Sequence, residues 1–217
     1  SPDKSLRVWD YEQKKLMFLY NFPEPLVTVA FHPSGYHVAV GFSDKVQFIN
    51  LYLGSKDQKR RDFREIPTKN CTCVKFSNGG GLIAISSGAT SQVISIFKFY
   101  STSMQVLYTL KGHIAMISSL EWAKDDIHLY SGGTHGLIFR WNLRTGQRFD
   151  LVQIKGPNVN GMSLSWDNET MFYVADDIES LREWSPAGNK FSDERDYYGA
   201  VAVTKSNKMI FTGVKDS

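Results

Sequence analysis

A histidine and a serine are the first candidates for chemistry in this sequence: His113, which closes "LKGH", and Ser131, inside "HLYSGG". A base beside a hydroxyl activates a serine nucleophile when a carboxylate orients the base. No aspartate stands at the orienting place. The turn after Ser131 reads "GGTHG", with His135 where an acid would be needed. The same pair also has an ordinary structural use as a hydrogen-bonded strut, and the sequence favours that reading.

Other residues invite the same comparison. The acid pairs Asp125/Asp126 and Asp176/Asp177 would suit glycoside hydrolysis only if they shared a pocket. They fall in or beside hairpin turns, where aspartate caps the backbone. Cys71 and Cys73 could form half of a zinc site, yet no second cysteine pair or close histidine pair completes four ligands. Two apart on a strand, they share one face, a poor geometry for a disulfide with each other. Burial in an inner strand of a protein from a reducing compartment is the simpler reading. "HPSG" (32–35) and "SNGG" (77–80) read as turns, because a phosphate-cradling glycine loop needs a helix after it. Trp122, Trp166, Phe31 and Phe76 each end a strand and read as core.

The segment "SKDQKRRDFREIP" gathers Lys56, Lys59, Arg60, Arg61 and Arg64. It is a candidate contact for an acidic partner such as a tubulin tail. The plainer reading is a solvated loop balanced by Asp57, Asp62 and Glu65. Across all 217 residues, 25 basic and 22 acidic side chains are interspersed, so the total implies no broad phosphate-binding face and no nucleic-acid partner. Apolar runs such as "LVTVAF" are too short to cross a bilayer, and no signal peptide opens the chain. These features predict a soluble intracellular chain with no membrane partner, no metal and no cofactor.

The elements that must position these residues repeat. "SLRVWD", "KVQFIN", "VISIFK", "LIFRWN" and "SLREWS" are versions of one strand, each with a bulky residue before a polar one. Those residues are Trp9, Ile49, Phe97, Trp141 and Trp184, at spacings of 40, 48, 44 and 43. Each of the later four is preceded by a strand running into a turn, and before that by another strand and a polar turn. A fourth, more polar strand such as "VLYTLKGH" lies between units. Four strands per period of this length predict an all-β propeller, about five blades' worth. The units run over about 21–62, 63–104, 105–147 and 148–189, with partial blades at 1–20 and 190–217. Closure into five blades is conceivable, but a sector of a larger ring is the preferred reading. Such a sector would leave sheet faces uncovered.

The chain resembles the WD-repeat family along essentially its whole length. In that family a histidine, a Ser/Thr, a turn acid and a tryptophan form a hydrogen-bonded chain tying the outer strand to the inner three. The matching positions are His113, Ser131, His135 and Trp141. A neutral histidine at the acid's place carries no negative charge, so a network weaker by about 0.5–1.5 kcal/mol is expected. "FHPSGYHVAVGFSDKVQFINL", "FSNGGGLIAI" and the block from "LKGH" to "RWNLRTGQR" are, in that order, similar to WD-repeat scaffolds of the motile axoneme. That resemblance implies a non-enzymatic cytoskeletal scaffold of the cilium or flagellum within a large assembly. Its partners would be axonemal proteins and inner dynein arm components, and it would act on doublet microtubules. Direct tubulin binding and a generic intracellular adaptor are the alternatives, and a propeller hydrolase is the remote one.

Overall fold

The computed structural model describes residues 3–51, 61–88, 92–100, 105–153, 158–176, 181–186, 188–191, 198–203 and 209–214. The described residues contain strands and turns but no helix. The first sheet is two-stranded, β1 (Ser5–Asp10) with β2 (Lys15–Asn21). The second comprises β3 (Thr28–Phe31), β4 (His37–Gly41), β5 (Lys45–Asn50) and β6 (Arg61–Pro67). The third comprises β7 (Cys71–Phe76), β8 (Leu82–Ser87), β9 (Gln92–Lys98) and β10 (Val106–His113). In the fourth are β11 (Ile117–Trp122), β12 (His128–Gly133), β13 (Leu137–Asn142) and β14 (Arg148–Gln153). β15 (Val159–Leu164), β16 (Met171–Ala175), β17 (Arg182–Ser185) and β18 (Gly188–Phe191) make the fifth. β19 (Tyr198–Val203) and β20 (Ile210–Val214) form a two-stranded sixth.

Every sheet is an antiparallel meander, and the first strands β3, β7, β11, β15 and β19 lie side by side in succession. This is the β-propeller arrangement the repeat predicted. Period-two alternation explains how the sheets stack. On β4, Val38 and Val40 face the first sheet while Ala39 faces the third. On β8, Ile83 and Ile85 face the second sheet and Ala84 the fourth. On β12, Leu129 points back and Tyr130 forward. The centres of the second strands therefore carry apolar residues at successive positions, because both of their faces are buried. Each fully buried Ile, Leu or Phe contributes about 1.5–3 kcal/mol, so the stability is spread over four inter-sheet layers.

The readings of aromatic residues at first-strand ends divide. Phe76 and Trp122 are buried, as expected. Phe31 is 48% exposed, with Val29 beside it at 46%, because the first sheet has only two described strands to set against that face. Trp166 does not end a strand: β15 stops at Leu164, and Trp166 stands in the turn beyond it, 38% exposed and bordering a cavity described below.

The turns after the first strands share one geometry. Gly35, Gly80, Asp126 and Asn168 donate their N–H groups to His32, Ser77, Ala123 and Ser165 carbonyls at 2.9–3.0 Å. All four have left-handed φ, from +52° to +79°. Glycine, aspartate and asparagine tolerate that region best, which accounts for the polar composition of these turns. Strand alternation places all four on one rim of the propeller.

Candidate functional site

His113 ends β10, the outer strand of the third sheet, whereas Ser131 and Trp141 lie on β12 and β13 of the fourth. The structure joins them through a single oxygen. His113 Nε2 lies 2.7 Å from Ser131 Oγ, and Trp141 Nε1 donates to the same oxygen at 2.8 Å. Ser131 is fully buried, and His113 packs its ring 4.4 Å from that of Phe139. Burial pulls the imidazole pKa down to about 4, and the Arg148 guanidinium adds to the effect. The ring is therefore neutral near pH 7. Gly133 runs against its other edge: a Cβ there would lie 2.9 Å from Nδ1, so only glycine fits.

His135 is outside this network. It sits exposed in the β12–β13 turn with φ 128°, and Ser131 links only the two rings. The expectation that His135 occupies the acid's position in the bonded chain is corrected on this point. The backbone conformation that turns the hairpin carries its side chain into solvent. The charge close enough to act on His113 is instead the cation Arg148. Ser131 is a strut between two buried rings, with no solvent access for a substrate.

The neighbouring sheets use apolar or aromatic residues at the same places. In register, Val38 faces Ile49, Ile83 faces Phe97, Leu129 faces Trp141 and Met171 faces Trp184. The residues matching Ser131 are then Val40, Ile85 and Tyr173. The polar strut belongs to the fourth sheet among the described residues.

A second set of polar contacts joins the turns on the shared rim. His32 is 1% exposed; its Nδ1 accepts from the Ser34 N–H at 3.0 Å, and its Nε2–H donates to the Gly80 carbonyl at 3.0 Å. Phe99 stacks on the ring at 4.8 Å and Phe76 meets it edge-on at 4.9 Å. One turn further, the Asp126 carboxylate accepts from the N–H groups of Asn78 and Gly79, both at 2.7 Å. Beyond that, Asn168 Oδ1 accepts from the Lys124 N–H at 3.0 Å. Each turn thus holds the next. In the sequence, "HPSG", "SNGG" and Asp126 read only as local turn chemistry. The available signal was an Asp or Asn at the left-handed position with its side chain free to reach outwards.

The remaining candidates separate. Lys56, Lys59 and Arg60 lie outside the described residues, Arg61 opens β6, and Arg64 is half-buried on that strand. Burial pushes the Cys71 and Cys73 thiols up to about 12 and about 11, and Cys73 Sγ donates to the Ser118 carbonyl at 3.0 Å. The described residues contain no group of three or more metal-ligating side chains. Asp125 accepts from the His128 ring at 2.7 Å, and Asp176 from Asn158 and Asn160, while Asp177 lies outside the described residues. No helix among the described residues is long and apolar enough to cross a membrane.

On the same rim, a cavity of about 160 Å³ opens between the third, fourth, fifth and sixth sheets. Asn78, Glu121, Lys124, Ser163, Trp166 and Asn168 are among its walls. Lys124 Nζ sits 4.6 Å above the Trp166 ring, and Glu121 is ion-paired with Lys75 at 2.7 Å.

Residues 104–142 match the family model described as WD domain, G-beta repeat. Over 98% of its length the chain is 36% identical to cilia- and flagella-associated protein 57 of Mus musculus. Over 100% of its length it is 32% identical to cilia- and flagella-associated protein 57 C of Tetrahymena thermophila. The chain spans 16% and 18% of those two relatives. The solved β-propeller domain of Cps50 (Swd1) from Myceliophteria thermophila superposes with a TM-score of 0.78, covering 98% of this chain and 74% of that one. At 13% identity, that likeness shows the fold alone. The chain is a WD-repeat β-propeller chain, similar along its length to cilia- and flagella-associated protein 57.

Proposed function

We propose that the chain is a rigid, non-catalytic interaction scaffold of the ciliary or flagellar axoneme, helping to tether or regulate inner dynein arms on doublet microtubules. The observation that carries this reading is the similarity, over essentially the whole chain, to two proteins named for cilia and flagella. The fold is compatible with it. Ser131 and His113 are buried and bonded to each other, and turn-to-turn bonds stiffen one rim. A stiff surface loses little conformational entropy when a partner docks.

The test is the location of the tagged protein in ciliated cells, before and after detergent and high-salt extraction of axonemes. Retention on the extracted axoneme with a regular longitudinal repeat, and loss or misplacement of inner dynein arms when the protein is genetically absent, is the expected result. A diffuse cytoplasmic signal without ciliary enrichment would leave a generic WD adaptor as the better account.

A further inference from the structure

The cavity on the turn rim offers more hydrogen-bond donors than acceptors. The Lys124 ammonium rests over Trp166 and has no carboxylate partner among the described residues. Asn168 turns its Oδ1 to the Lys124 N–H, which fixes the amide with Nδ2 free to donate. Ser163 Oγ accepts from the Val203 N–H at 3.0 Å, leaving its own O–H available. Against these three donor groups stand two acceptors, the Glu121 carboxylate, which is ion-paired with Lys75, and Asn78 Oδ1, whose own Nδ2 donates to the Ala123 carbonyl and Asp126. The volume, about 160 Å³, matches what one compact side chain needs, since a cavity of roughly 150 Å³ accepts a benzene ring.

We propose that this cavity receives a glutamate or aspartate side chain from an acidic segment of a partner protein. Lys124, Asn168 and Ser163 would donate to the carboxylate while Trp166 packs against its aliphatic stem. Charge-assisted bonds of this kind are the strong ones, and the half-exposed indole limits water around them. The proposal rests on the interaction-scaffold reading and names the partner chemistry of one place on it. It differs from the basic segment at 56–64, which lies elsewhere in the chain.

The test is fluorescence anisotropy of a fluorescein-labelled hexaglutamate peptide titrated with the full 217-residue chain. Lys124→Met keeps the stem over Trp166 and removes the charge; Lys69→Met makes the same charge change at an exposed lysine away from this rim. Saturable binding is expected, weakened about tenfold or more by Lys124→Met and less than about twofold by Lys69→Met. Ser163→Ala should weaken it by about threefold. Near-UV circular dichroism establishes that each variant is folded. Equal losses in the two lysine variants, equal binding of hexaglutamine, complete displacement by excess inorganic phosphate, or no saturable binding would each overturn the proposal. Because the assay uses purified chain, it stands or falls separately from the axonemal location.

Discussion

His32 occupies the place where residue 80 would carry a side chain. A Cβ built on Gly80 would lie 2.3 Å from His32 Nε2, and Gly80 also has φ +71°. The two residues are complementary across the join between the second and third sheets. One supplies a ring and the other supplies the space for it.

That complementarity predicts a non-additive pair. Gly80→Ala should destabilise the chain by about 2–3 kcal/mol, combining the left-handed penalty with loss of the imidazole bond. In a His32→Ala background the same change should cost only about 1 kcal/mol, because the clash is gone. Urea denaturation of the four variants measures the coupling; additive effects would contradict the geometry.

Ser131→Ala should cost about 1–3 kcal/mol, since it leaves the Trp141 N–H and the His113 ring nitrogen buried without a shared oxygen. His135→Ala should change stability by less than about 0.5 kcal/mol, as the side chain is exposed and outside the strut. Comparable effects of the two substitutions would restore His135 to the network.

Acid should act through the buried histidines. The pKa of folded His113 is held at about 4, below the ordinary 6.5, and burial also lowers that of His32, with His37 adding a smaller repulsion. The unfolded chain therefore binds these protons at higher pH than the folded one. The stability they support is complete above 6.5 and falls as pH drops from there towards about 4. For His113 alone the loss reaches about 3 kcal/mol at pH 4. Chemical denaturation between pH 4 and 7 should show this slope, and His113→Gln should flatten it. An unchanged slope in that variant would assign the effect to other groups.

Asp126→Gly preserves the left-handed turn and removes only the carboxylate. The loss should be about 1.5–3 kcal/mol, the range for hydrogen bonds to a charged group, and should show as a lower urea midpoint. Native-state hydrogen exchange should quicken at the Asn78 and Gly79 amides before any change at β12. If those two amides keep their protection, the carboxylate is not what holds them.

The propeller was legible because its signal is repeated: Trp9, Ile49, Phe97, Trp141 and Trp184 mark one strand five times. The strut of His113, Ser131 and Trp141 was legible through the family pattern, since strand pairing fixes those positions. His135 was not, because its role depends on a φ angle that residue type does not reveal. His32 escaped for a different reason. Its carbonyl partner is 48 residues away, and the local string "HPSG" explains itself as a turn. Trp166 reads as core if it ends a first strand as Trp122 does, but the register gives that place to Leu164 and puts Trp166 in the turn, beside the cavity.

The joins along the turn rim also make the repeats non-interchangeable. An imidazole meets a bare glycine, a carboxylate meets two amide protons, and a carboxamide meets one. Near-equivalent units run the risk of assembling with one skipped or two exchanged, since every unit presents a similar apolar face. Here a skipped third unit would bring the His32 ring against Asp126, where no bare glycine receives it, and would leave that carboxylate without its two amides. The order of the blades is thus written in the chemistry of their borders as well as in the order of the chain.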